Sequence, residues 1–140
     1  MNTKKYLLSA LAGLVGFIVA SIVLEDFILK SYLERTFYQP IEELIRDSAP
    51  TEFSLPFVGF LVVWILIMAY MYPKGYEGGS PAVEGLRFGV LLGLFMGMPL
   101  ALSIEVFFGI GLVPVLVQIF ITTLEVATAG LLIGLVNGRK

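Results

Sequence analysis

Long apolar runs alternate along this chain with short polar intervals, and the lengths of the runs set the reading before any single residue is considered. A bilayer core about 30 Å thick needs about 20 apolar residues as helix. Tyr6 to Leu24, Leu55 to Tyr72, Leu86 to Phe107 and Val113 to Val136 each meet that need. The pattern predicts an all-α integral membrane protein, a four-helix bundle that takes residues 1–140 as a single transmembrane domain. The first run follows Lys4 and Lys5, and no small-x-small cleavage site ends it before "LEDF". It also exceeds the roughly 7 to 15 residues of a signal core, so an uncleaved anchor is expected. Pro56 opens the second run and Pro73 closes it, positions where proline starts or stops a helix. "FGIGLVP" is so short a link that the last two runs form a hairpin.

Residues 25–54, between the first two runs, keep a helical rhythm at lower hydropathy. Leu29, Tyr32, Leu33, Thr36 and Phe37 fall on one face, with Lys30, Glu34 and Arg35 on the other, which predicts an amphipathic helical segment ending before Pro40. "PIEELIRD" then predicts a second short helix with Ile41, Leu44 and Ile45 together. Such a segment either lies as a cap on the membrane or over the bundle, or presents a docking surface to another subunit.

Charge orients the spans. Lys4, Lys5, Lys74, Arg87, Arg139 and Lys140 all fall on one side, whereas residues 25–54 carry three basic against seven acidic groups. The excess of Lys and Arg marks the cytoplasmic side, so both termini are expected there and residues 25–54 on the non-cytoplasmic side. Tyr6, Tyr70, Tyr72 and Tyr76 gather at the same boundary, where amphipathic rings prefer to sit.

Composition removes the competing classes. Hydrophobic residues make up 58% of the chain and charged ones 14%, with a mean hydropathy of +0.94, more apolar surface than a soluble domain of this size hides in one core. The net charge of -2, with dispersed basic residues, offers no nucleic-acid footprint. Cys and His are both absent, which excludes thiol chemistry, His-ligated haem and the usual zinc sites. No cofactor is expected, and a metal would need carboxylates and carbonyls.

"EGLRFGVLLGLFMGMP" places Gly85, Gly89, Gly93 and Gly97 at steps of four. Four aligned glycines would weaken a soluble helix by about 1 kcal/mol each relative to alanine. In lipid they form a groove that admits a neighbouring backbone, so this line is a helix-packing surface. Shorter lines, Ala12, Gly16 and Ala20 in span one and Gly130, Gly134 and Gly138 in span four, repeat the device. Either this chain's own helices or another subunit can fill such grooves. Pro99 predicts a kink in span three.

Glu125 stands near the middle of span four, where an ionised carboxylate costs at least a few kcal/mol. Gln118, Thr122 and Glu125 fall at i, i+4 and i+7, a polar stripe with Ala129 next. The stripe reads either as a relay for protons or cations, or a ligand for a head group or pigment, or as a neutral Glu hydrogen-bonded to a neighbouring helix. Glu105, nearer the outer boundary, reads as a group reaching the interface. In the inner loop, "YPKGYEGGSPAVEGLRFG", Ser80 predicts a helix cap, and Arg87 and Lys74 read as interfacial cations, Arg87 pairing with Glu84 or a lipid phosphate. The loop glycines lack the G-x-x-x-x-G-K-[ST] pattern of a phosphate loop.

This loop, followed by a glycine-rich third span and a fourth span with an embedded acid, resembles a group of small bacterial four-span membrane proteins. The resemblance covers about the second half of the chain and implies a bacterial inner (plasma) membrane address, with no activity attached. The expected partners are the lipid bilayer and other membrane subunits or a second copy. Two functions follow: an accessory subunit of a larger membrane complex, or a small homo-oligomeric transporter or channel using the Glu125 stripe. No nucleophile and base stand at a plausible spacing, so an enzyme is not expected.

Overall fold

A computed structural model describes residues 3–38 and 55–138, and all regular structure among them is helical. The "PIEELIRD" helix expected beyond Pro40 lies outside the described residues. Helix α1 spans Thr3–Ser21 and passes without a break into a π-helical stretch, Ile22–Ile28. Leu29, at φ -111° and ψ 3°, ends that stretch, after which a single turn, α2 (Lys30–Leu33), and a further π-helical segment, Glu34–Tyr38, follow. The amphipathic continuation of span one is thus helical but bent at Leu29.

Helix α3, Leu55–Met71, is 17 residues long. Pro73, within a 3-10 turn at Tyr72–Lys74, stops it. Helix α4 (Pro81–Phe108) begins where Ser80, in extended conformation, accepts a hydrogen bond on its hydroxyl from the Val83 N–H at 3.3 Å. Proline at the first position and Glu84 in the first turn complete this start. The helix continues through Pro99 and ends at Gly109, which takes the left-handed conformation (φ 60°) and donates its N–H to the Glu105 carbonyl at 2.8 Å. Gly111 (φ 95°) turns the chain into α5, Leu112–Gly138.

Among the described residues, three helical stretches are by length and composition able to cross a membrane: Thr3–Ile28, Pro81–Phe108 and Leu112–Gly138. The span expected over residues 55–72 corresponds to a shorter apolar helix that falls below that length. Pro73 sets its C-terminal limit.

Packing follows the small residues. The most extensive contact joins α4 to α5, then α1 to α5 and α1 to α3. All three pairs run antiparallel. Gly85 faces Gly130 and Gly134 while Gly97 faces Thr122, and Gly13 meets Ile133 while Ser21 meets Glu125. The Tyr6 hydroxyl donates to the Leu66 carbonyl (3.0 Å), fastening the start of α1 near the end of α3. Tyr72 donates to the Pro81 carbonyl (3.4 Å), and Gly138 lies against Pro81. One end of the molecule therefore collects the start of α1, the end of α3, the start of α4 and the end of α5. A core of Ala10, Ile65, Met68, Ala69, Tyr72, Val126, Ala129 and Ile133 joins the helices. Phe17 and Trp64 stack edge to face across α1 and α3, and the Trp64 indole donates to the Met96 sulfur (3.0 Å) on α4.

Candidate functional site

Glu125 is 5% exposed on the face of α5 that α1 covers. The Ser21 hydroxyl donates to its Oε1 at 2.7 Å. Ser21 is the last residue of α1 before the π-helical stretch, so the carboxyl is held where that helix changes its winding. Sequence reasoning missed Ser21 as the partner of Glu125. The available signal was a small hydroxyl residue four positions before an acid at the end of span one, a weak one because serine also serves as a small packing residue.

The expected polar stripe divides between two neighbours. At about 100° per residue, Gln118, Thr122 and Glu125 lie within a narrow arc of α5. That arc is the seam between the side packed by α1 and the side packed by α4. Glu125 turns to Ser21, whereas the Thr122 Cβ would be 3.4 Å from a Cβ built on Gly97 of α4. Gln118, half-buried, sits a turn before Thr122 toward the hairpin. Thr123 and Thr128 turn their hydroxyls back to the carbonyls of Ile119 and Leu124, at 2.7 and 2.8 Å. Among the described residues no group of three or more metal-binding side chains forms.

Glu105 stands apart from this site. Its Oε2 accepts the Gly111 N–H at 2.7 Å, and its backbone carbonyl accepts from Gly109, so one residue closes the α4–α5 turn twice.

All four glycines of the α4 line are buried against α5. A Cβ on Gly89 would lie 2.6 Å from the Ala127 Cα, and one on Gly93 would lie 2.8 Å from the Thr123 Cα. Both obstacles are backbone, which moves only with the helix. Gly85 is pressed against the Gly130 carbonyl in the same way. On α1 the glycines packed against α5 are Gly13 and Gly16, so of the expected line Ala12, Gly16 and Ala20 only Gly16 is fully buried. The crossing shifts the buried line by one residue, and Ala12 and Ala20 are half-buried beside it.

At the α3–α4 connection, Arg87 pairs with Glu77 at 2.6 Å, both side chains largely exposed, and not with Glu84 as expected. Glu84 instead turns toward Gly79, where its Oε1 would meet a Cβ at 2.6 Å. Lys74 donates to the Tyr70 hydroxyl at 2.8 Å and rests 4.0 Å from that ring's centre. No family model matches the chain, and no curated protein or solved structure matches it.

Proposed function

We propose that the chain is an integral protein of a bacterial inner membrane, a four-helix bundle with both termini in the cytoplasm, and that it serves as an accessory subunit of a larger membrane complex. One observation carries the reading: α4 has two opposite faces of unlike character. Gly85, Gly89, Gly93 and Gly97 fix one face to α5, while Leu91, Phe95, Leu102 and Val106 line the other at 59%, 78%, 51% and 80% exposure. A helix so held on one side is a stiff apolar blade on the other, suited to lipid or to the helices of a neighbouring subunit. The collection of Lys74, Arg87 and the start of α1 at one end supports the orientation. Purification in mild detergent tests it. Foreign chains should accompany the protein in fixed ratio, and recovery of the chain by itself at every detergent concentration would overturn the role.

A second reading has its own support, a buried carboxyl bonded to Ser21 at a change of helical winding. Such a group suits proton or cation passage by a homo-oligomer. Vesicles containing only this chain should then show proton- or cation-dependent flux that Glu125→Gln abolishes. Parent vesicles without flux would remove this reading.

A further inference from the structure

Between α1 and α3 runs an apolar cleft of about 150 Å³, open to the outside of the bundle and lined by Leu7, Leu11 and Leu14 on one wall and Val62 and Leu66 on the other. The cleft lies toward the end that gathers Lys4 and Lys74. Lys4 precedes Leu7 by one turn of α1, while Tyr70 follows Leu66 by one turn of α3 and Lys74 stands one turn beyond. Residues three and four apart on a helix are surface neighbours, which sets Lys4 beside Leu7 and Tyr70 beside Leu66, and Lys74, in the 3-10 turn after α3, reaches back to Tyr70. Tyr70 and Lys74 are exposed and joined by the 2.8 Å hydrogen bond, which ties the ammonium to the residue one turn after Leu66 while leaving it further protons to donate.

We propose that this cleft binds one anionic phospholipid, an acyl chain lying between the leucines and its phosphate held between Lys4 and Lys74. An acyl chain gains little from leaving other lipid, because its surroundings are apolar either way. The cleft therefore fixes position, and the two cations supply selection. Charge complementarity names the occupant: a zwitterionic lipid brings its own cation to the same lip, whereas an anionic one leaves its phosphate charge for the lysines. Basic groups at the cytoplasmic end of a cleft between transmembrane helices are the arrangement by which anionic head groups are recognised. The proposal rests on the membrane reading above, and on the Lys4 end lying at the cytoplasmic face.

The test is native mass spectrometry of the chain released from lipid discs containing one part phosphatidylglycerol to four parts phosphatidylcholine. Retained lipid should be enriched in phosphatidylglycerol over the bulk. Each of Lys4→Gln and Lys74→Gln should lower that enrichment by roughly fivefold, as expected for one interfacial cation. Lys30→Gln, at the other end of the molecule, should leave it unchanged. Leu11→Trp, which fills the cleft but keeps both lysines, should lower the number of lipids retained. Retained lipid that mirrors the bulk, or enrichment that survives the Lys4→Gln, Lys74→Gln double variant, would overturn the site alone. A chain that fails to enter the discs would overturn the membrane reading and the site with it.

Discussion

The Ser21 hydroxyl and the Glu125 carboxyl, 104 residues apart in sequence, meet at 2.7 Å across the α1–α5 contact. In an apolar surrounding a carboxyl without a partner is expensive, so this bond decides which substitutions α5 tolerates. Glu125→Gln keeps a side-chain acceptor for Ser21 and should melt in detergent close to the parent. Glu125→Leu strands the Ser21 hydroxyl and should cost about 1 to 3 kcal/mol. Ser21→Ala strands the buried carboxyl and should cost at least as much, about 1 to 3 kcal/mol, and should add almost nothing on top of Glu125→Leu because the two remove one interaction. Additive losses in that cycle would mean that the residues act separately.

The glycine line offers a sharper contrast. A Cβ at Gly93 would meet the Thr123 Cα at 2.8 Å, while one at Gly59 of α3 would meet nothing within 4 Å. Gly93→Leu should therefore prevent folding or lower detergent stability by several kcal/mol, since the backbones cannot separate without unpacking the hairpin. Gly59→Ala should be neutral or slightly stabilising, as alanine is the better helix former by about 1 kcal/mol. Equal melting of parent and Gly93→Leu would contradict the packing.

These two sites also show what the sequence makes legible. Steps of four name Gly85, Gly89, Gly93 and Gly97 because a helix repeats its faces at that interval, and Ser80 announces the start of α4 because its side chain bonds within its own turn. Both are properties of one helix. Ser21 opposite Glu125, Gly13 rather than Ala12 on the buried line of α1, and Glu77 rather than Glu84 on Arg87 depend on how two segments cross. A shift of one residue in that crossing changes each answer and leaves the apolar pattern intact. The end of α3 belongs with the first kind, since Pro73 marks it in the sequence and the helix stops at Met71.

Orientation is open to a direct check, because the chain has no native cysteine. With the Lys74 end in the cytoplasm, a cysteine at position 34 should react with an impermeant thiol reagent added to intact cells. A cysteine at position 74 should react only after lysis. The reverse pattern would turn the molecule over and move the proposed lipid cleft to the other leaflet.

The α4–α5 turn yields the last expectation. Glu105 accepts the Gly111 N–H on its carboxylate at 2.7 Å, and Gly109 and Gly111 take φ of 60° and 95°. Loss of the acceptor in Glu105→Leu should cost about 1 kcal/mol, whereas Glu105→Gln retains a carbonyl oxygen and should remain near the parent. Gly109→Ala and Gly111→Ala leave the hydrogen bonds in place but force a Cβ into left-handed backbone, at a cost of about 1 to 2 kcal/mol each. Gly111→Ala should be the more damaging of the two, because φ of 95° lies further from the left-handed well that an L-residue can occupy. Detergent melting of the four variants separates the contributions. If Glu105→Leu melts with the parent while both alanine variants fall, backbone conformation alone holds the turn and water at the membrane surface satisfies the Gly111 N–H.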